Sequence, residues 1–131
     1  MNTPHNNYTA TILVVENEIS NRILIERVLS TRGYRCLSAS NGREALNILD
    51  RERVDLILTD LSMPVLDGYQ TTQLIRARPG LENVPIVAVT AFALADEGEA
   101  AKQIGCTEYL TKPFKPRQLL EVVERLLQQN A

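Results

Sequence analysis

The sequence predicts an α/β protein in which helices cover both faces of a parallel sheet. Its apolar runs are short and unbroken, as in Thr11–Val15, which is typical of strands buried on both faces. These runs alternate with segments of helical periodicity, and right-handed crossovers between parallel strands then produce a doubly wound sandwich. The length of 131 residues suits one domain with a good core and would leave two domains too small.

Each predicted strand is a short run of aliphatic and β-branched residues bounded by polar or turn-forming residues. The five runs cover residues 11–15, 34–39, 54–59, 85–90 and 108–110. The second run has the weakest pattern. The third ends at Asp60, and residues 60–68 then form a loop marked by proline and glycine.

Each predicted helix is delimited by residues that start or stop helices. The five helices cover residues 20–32, a short segment after Asn41–Gly42, and residues 69–78, 93–104 and 116–128. Ser20 or Asn21 is expected to cap the first helix, and Gly33 to end it. The last helix carries the clearest apolar stripe, which consists of Leu119, Val123, Leu126 and Leu127.

Composition argues against several classes of function. The chain has 14 Lys and Arg against 16 Asp and Glu, so it lacks the basic excess of a nucleic-acid binder. No apolar run approaches the roughly 20 residues of a membrane helix. Residues 1–10 are polar and are expected to form a flexible leader to a domain over 11–129, and the lack of an apolar signal segment predicts a cytoplasmic protein.

The cysteine and histidine content points away from zinc and from histidine-based catalysis. Cys36 and Cys106 lie far apart, which fits a reducing compartment and predicts two small buried apolar residues. His5 is the only histidine and belongs to the predicted leader.

Polar side chains follow four of the predicted strands at the point where each strand ends. They are Glu16, Asn17, Asp60, Thr90 and Lys112. Because the carboxyl ends of parallel strands share one edge of the sheet, these side chains are expected to converge. Carboxylates suit a hard cation such as Mg²⁺, a lysine and a hydroxyl suit phosphoryl oxygens, and a carboxylate can be phosphorylated as a nucleophile.

Five segments in order along the chain carry a resemblance to a known family. They are Ile12-Leu13-Val14-Val15-Glu16, Leu58-Thr59-Asp60-Leu61-Ser62-Met63-Pro64, Asp67-Gly68, Val89-Thr90-Ala91 and Lys112-Pro113-Phe114. Together they resemble the receiver domain of two-component response regulators, and the match runs from Ile12 to the last helix. The resemblance implies a flavodoxin-like sheet with strand order 2-1-3-4-5.

The resemblance also implies a role for each site residue. Asp60 would accept a phosphoryl group from a sensor histidine kinase or a histidine phosphotransfer protein, and Lys112 would contact the phosphoryl oxygens. Thr90 and Tyr109 would form a switch. Mg²⁺ would be held by the following groups: Glu16, Asn17, Asp60 and the backbone carbonyl of Ser62. The Lys112–Pro113 peptide bond would be cis.

The same resemblance implies a signalling protein rather than a turnover enzyme. Such a protein assists only its own phosphorylation and dephosphorylation. Phosphorylation would switch the face formed by the fourth helix, the fifth strand and the fifth helix, and an unidentified downstream protein would dock there. Homodimerisation is left open. A phosphatase with an aspartyl-phosphate intermediate is disfavoured. Such enzymes carry a second Asp two residues after the nucleophile, and Ser62 stands at that position here.

Asn17 departs from the family pattern, in which this position is usually Asp. An amide keeps a neutral oxygen for the metal but removes one negative charge, so weaker Mg²⁺ binding is expected. Glu18 offers one compensating carboxylate. The alternative is a degenerate receiver that acts as a phosphate-independent interaction module.

Overall fold

The computed structural model describes residues 9–61, 68–90 and 105–129. Five strands form one parallel sheet in the order β2-β1-β3-β4-β5. They are β1 (Thr11–Val15), β2 (Arg35–Ala39), β3 (Leu56–Asp60), β4 (Ile86–Thr90) and β5 (Glu108–Thr111). The predicted fold class and strand order are therefore confirmed.

Four helices belong to the described residues. They are α1 (Ile19–Ser30), α2 (Gly42–Leu49), α3 (Gly68–Arg76) and α4 (Pro116–Gln129), of which α4 is the last predicted helix. The helix predicted over residues 93–104 and nearly all of the predicted leader lie outside the described residues. None of the described helices is both long and apolar enough to cross a membrane.

Alternation along the central strands divides the core into two layers. Leu13 and Ile57 point to one face, where they pack with Ala45 of α2 and Ile75 of α3. Their neighbours point to the other face and pack against α1 and α4; this second layer includes Ile12, Val14, Leu56, Leu58, Ile25, Leu29, Leu119 and Val123. Helices thus cover both faces, which leaves the carboxyl ends of the strands to hold polar side chains.

The start of α1 corrects one prediction. Its N-cap is Glu18, whose carboxylate accepts a hydrogen bond from the backbone N–H of Asn21 at 3.2 Å. Neither Ser20 nor Asn21 caps the helix, because the chain turns two residues earlier. The Glu18 N–H donates to the Glu16 carboxylate at 3.1 Å, so a hydrogen bond from the end of β1 fixes where the helix begins.

The two cysteines differ in environment, which corrects half of another prediction. Cys106 is buried as expected, but Cys36 on β2 is only half-buried. Burial and the nearby Glu26 carboxylate raise the pKa of the Cys36 thiol to about 11, so it stays protonated at neutral pH.

Gly68 lets α3 begin directly against the end of β3. A Cβ atom at this position would overlap the backbone oxygen of Asp60 and would lie 2.5 Å from the Cα of Leu61. Real Cβ atoms do not approach backbone this closely, so only glycine permits the contact. The first turn of α3 therefore packs directly against the backbone that carries Asp60.

Candidate functional site

The register of the sheet places the predicted site residues together at the carboxyl ends of the strands. Val15 of β1 pairs with Thr59 of β3, so Glu16 and Asp60 are next to each other where the two strands end. On the other side of β3, Thr90 ends β4, and its carbonyl oxygen accepts the Lys112 N–H at 2.7 Å. Glu16, Asp60, Thr90 and Lys112 thus lie at the same end of the sheet, as predicted for them and for Asn17, which follows Glu16 directly.

An ion triad joins three of these residues. The Nζ atom of Lys112 lies 3.2 Å from the Oε1 atom of Glu16 and 3.2 Å from the Oδ2 atom of Asp60. The side chains of Glu16, Asp60 and Lys112 are 3%, 12% and 25% exposed. One ammonium therefore bridges two largely buried carboxylates, which leaves the triad with one net negative charge.

The environment of Lys112 keeps this ammonium charged. Burial by itself would lower its pKa, but the negative charges of Asp60 and then Glu16, with the hydrogen bonds to both, outweigh that effect. The pKa of Lys112 is therefore raised above its ordinary value.

Hydrogen bonds hold Glu16 on every side. Its N–H donates to the carbonyl oxygen of Ala39 at 2.9 Å, and its own carbonyl oxygen accepts from the Nη1 atom of Arg22 at 2.8 Å. The second carboxylate oxygen accepts the Glu18 N–H at 3.1 Å. With Lys112 bonded to Oε1, each oxygen of this buried carboxylate has a partner, so the group is positioned before any ligand arrives.

Asn17 and Glu18 occupy different positions with respect to the triad. Asn17 is exposed at the start of the β1–α1 loop, directly after Glu16. The Oε1 atom of Glu18 accepts the backbone N–H of Asn21 at 3.2 Å and so caps α1.

The other predicted residues divide between the described and the undescribed parts of the chain. Thr90 is buried, and Tyr109 on β5 is half-buried and packs against the core layer next to α2 and α3. The Lys112–Pro113 peptide bond is cis. Ser62 lies outside the described residues.

The groups of the site that could bind a metal ion donate through oxygen, which fits a hard divalent cation. Two carboxylates with one ammonium leave negative charge to attract it, and an exposed amide lies beside them. Across residues 9–61, 68–90 and 105–129, no three His, Cys, Asp or Glu side chains converge on one point. Amide, backbone and water oxygens would therefore complete the coordination of Mg²⁺.

Sequence reasoning missed three exposed apolar side chains on α1, one of which lies beside the site. Ile19, Ile23 and Leu24 of α1 are exposed by 62%, 45% and 58%, and we call them the α1 patch. Leu24 also lines a groove with Lys112 and Phe114. Apolar residues that fall outside the inward stripe of α1 were the available signal, but periodicity alone does not separate a docking surface from a tolerated exposure.

A family model for the response regulator receiver domain matches residues 12–124. Among solved structures, the chemotaxis response regulator CheY4 of Vibrio cholerae has a TM-score of 0.87 and 32% identity, covering 91% of this chain and 99% of that chain. The receiver domain of the sensor histidine kinase PA1611 from Pseudomonas aeruginosa has a TM-score of 0.86 and 40% identity, covering 92% and 99%, and holds a magnesium ion in its active site cleft.

The curated relatives include long and short proteins. Sensor histidine kinase GacS of Pseudomonas protegens is 42% identical over 116 residues, which are 86% of this chain and 12% of the kinase. An uncharacterized 14.6 kDa protein of Leptolyngbya boryana is 36% identical, with 87% of each chain covered. This chain therefore spans only a small part of the kinases that it matches.

Replacing Lys112 with methionine is expected to lower the free energy of unfolding by about 2 kcal/mol at neutral pH, because two buried carboxylates lose their counter-charge. The raised pKa makes the contribution of Lys112 complete below the ordinary lysine value of 10.5, and the contribution is lost as pH rises through the folded value. The difference between the two proteins should thus be constant near neutral pH and shrink in strong alkali. Urea titrations across this pH range measure it.

The matched control is Lys115→Met, which removes an exposed lysine close by in the chain. It should change the free energy of unfolding by less than about 0.5 kcal/mol. A Lys112→Met protein as stable as its Lys115→Met counterpart would contradict the assigned role of the ammonium.

Proposed function

Since this chain belongs to the family of response regulator receiver domains, we propose that it receives a phosphoryl group on Asp60 in two-component signalling. The receiver domain extends over residues 11–129. The observation that carries the proposal is the Asp60 carboxylate itself, which ends β3 at the open edge of the sheet and lies 3.2 Å from an ammonium. This role places the protein in the cytoplasm with its phosphodonor.

The transfer uses the Asp60 carboxylate as a nucleophile. One carboxylate oxygen attacks the phosphorus of a phosphohistidine, an acyl phosphate bond forms, the phosphorus–nitrogen bond breaks, and the imidazole leaves with the bonding electron pair and takes up a proton. Such a transfer depends mainly on positioning and charge neutralisation. The chain acts as a signalling domain and assists only its own phosphorylation and dephosphorylation.

Phosphorylation of Asp60 requires positive charge nearby, because it adds negative charge next to another carboxylate. Two unit charges about 4 Å apart repel by roughly 4 kcal/mol at an effective dielectric constant of about 20. A phosphoryl group on Asp60 adds negative charge beside the buried Glu16, and Lys112 offsets part of it. Mg²⁺, held by Glu16, Asn17, Asp60 and the Ser62 carbonyl, would neutralise the remainder.

Phosphorylation then changes a surface of the domain. We assign Thr90 and Tyr109 to the switch, because one ends β4 beside the site and the other lies on the neighbouring β5. The responding face comprises β5, α4 and the helix predicted over residues 93–104, and a downstream protein binds there.

The phosphodonor is a sensor histidine kinase or a histidine phosphotransfer protein, and it docks on the α1 patch. Three exposed aliphatic side chains on one short helix are an unusual concentration for a surface. The patch adjoins the groove that Leu24 shares with Lys112, so a protein seated there has its reacting group beside the site. The groove that Leu24 shares with Lys112, the partner of Asp60, favours this surface over Leu74, the exposed leucine of α3.

Asn17 favours a second candidate function. A receiver with one fewer acidic ligand could act without phosphate, as an interaction module that binds partners in its unmodified state. The intact Asp60–Lys112 contact supports the phosphorylated form over this alternative.

Incubation with a small acyl-phosphate donor is expected to add one phosphoryl group to the chain, and only when Mg²⁺ is present. Intact mass spectrometry measures the gain. Asp60→Asn is the control and should remain unlabelled, because an amide is a poor nucleophile. If neither this donor nor a phosphohistidine protein labels the wild type at any Mg²⁺ concentration, the phosphate-independent alternative stands.

Replacing Asn17 with aspartate is expected to tighten Mg²⁺ binding by about tenfold, since it adds a charged oxygen to the donor set. Isothermal titration calorimetry measures the affinity. Asn47→Asp makes the same change of net charge on the exposed side of α2 and should leave the affinity unaltered. Equal or weaker binding by the Asn17→Asp protein would refute the assignment of this position to the metal.

Replacing Leu24 with glutamate is expected to slow transfer from a phosphohistidine protein by about tenfold or more, because a buried carboxylate would disrupt an apolar contact. Labelling by the small donor should be unchanged. Leu74→Glu on α3 is the matched control and should affect neither reaction. Equal slowing with both donors would mean that Leu24 supports the site and not the docking surface.

A further inference from the structure

Arg22 of α1 is tied to the loop that carries two of the proposed metal ligands. Its Nη1 atom donates to the carbonyl oxygen of Glu16 at 2.8 Å, and the side chain is half-buried. That carbonyl belongs to the peptide unit joining Glu16 to Asn17. The sequence offered no reason to separate Arg22 from the other arginines of the chain.

The position of Arg22 depends on the same short turn that it supports. Its backbone N–H donates to the carbonyl oxygen of Glu18 at 3.0 Å, in the first turn of α1. The side chain then folds back over residues 16–18 to reach the Glu16 carbonyl. The turn is closed from both ends, because the Glu18 N–H donates to the carboxylate of Glu16 at 3.1 Å.

Peptide orientation matters here because the two side chains leave the backbone on either side of this peptide unit. A change in ψ of Glu16 or in φ of Asn17 that the other angle does not offset would turn the Glu16 carboxylate and the Asn17 amide relative to each other. A hydrogen bond from a guanidinium to a carbonyl is charge-assisted and therefore stronger than a bond between neutral groups. It opposes such a change by holding the carbonyl oxygen of this peptide unit.

We propose that Arg22 is a positioning residue for the metal site, which fixes the Glu16–Asn17 peptide so that both side chains can bind one Mg²⁺ ion. The inference rests on the proposed function, since it concerns the same cation. Groups that orient metal ligands without touching the metal commonly change its affinity by about tenfold to a hundredfold. With only one full carboxylate at positions 16 and 17, the orientation of both ligands matters more in this chain.

The charge of Arg22 makes the sign of its effect informative. A guanidinium near a cation site repels the cation, so loss of the charge alone would tighten Mg²⁺ binding. Loss of the peptide orientation would weaken it. The two explanations therefore predict opposite results for the same substitution.

The test compares Mg²⁺ affinity by isothermal titration calorimetry in Arg22→Gln, Arg22→Lys and the wild type. Arg22→Gln should bind Mg²⁺ about tenfold more weakly. Arg22→Lys should recover most of the affinity, because an ammonium can also donate to the Glu16 carbonyl. Arg27→Gln removes an exposed arginine from the same helix and should bind like the wild type.

Amide hydrogen exchange without Mg²⁺ gives a second measurement. The Glu18 N–H should exchange several-fold faster in Arg22→Gln, because its acceptor on Glu16 is held less firmly. The amides of β1 should be unchanged. Glutamine is a good helix former, so α1 should persist, and urea unfolding checks this.

Three results would overturn the inference. One is Mg²⁺ binding by Arg22→Gln that equals or exceeds that of the wild type. Another is an equal loss of affinity in Arg27→Gln, which would show that the loss does not depend on the contact with the Glu16 carbonyl. The third is a wild-type chain that binds no Mg²⁺, and this result alone would also remove the metal from the proposed function.

Discussion

One ammonium between two buried carboxylates is the contact on which the site depends. The parallel pairing of β1 with β3 brings Glu16 and Asp60 side by side, and their mutual repulsion opposes folding unless a positive charge lies between them. Lys112 supplies that charge from the end of β5, with β4 between it and the acids. The contact therefore joins the end of β5 to the ends of β1 and β3.

In this fold the apolar core provides stability, and the polar residues at the carboxyl ends of the strands form the site. Apolar strands and the helices on both faces supply the stability, so the polar edge can hold charges close together. Each residue at that edge is set by a different element: Glu16 by β1 and the loop after it, Asp60 by β3, and Lys112 by β5. A change in charge at Asp60 consequently alters the interactions of residues at the ends of β1, β3 and β5.

The strands and the meeting of Glu16, Asp60 and Lys112 followed from the sequence, because unbroken apolar runs and parallel topology place the carboxyl ends of strands together. The roles of these residues remain predictions. The cap of α1 was predicted wrongly, since local preference ranks Ser20 and Asn21 above a glutamate, whereas a hydrogen bond from Glu18 to the end of β1 decides the turn. The Arg22 contact was not predictable, because it depends on how a side chain crosses the loop.

The close approach at Gly68 has a mechanical consequence. The first turn of α3 rests directly on the backbone of Asp60, so this wall of the cleft is stiff and resists displacement. On the other side, Asp60 contacts Lys112 through a side chain whose four-carbon stem can change rotamer. A new group on Asp60 is therefore accommodated more easily by movement of the Lys112 side chain than by movement of α3. Because Lys112 lies between β5 and α4 in the chain, a movement of its side chain would begin next to both elements.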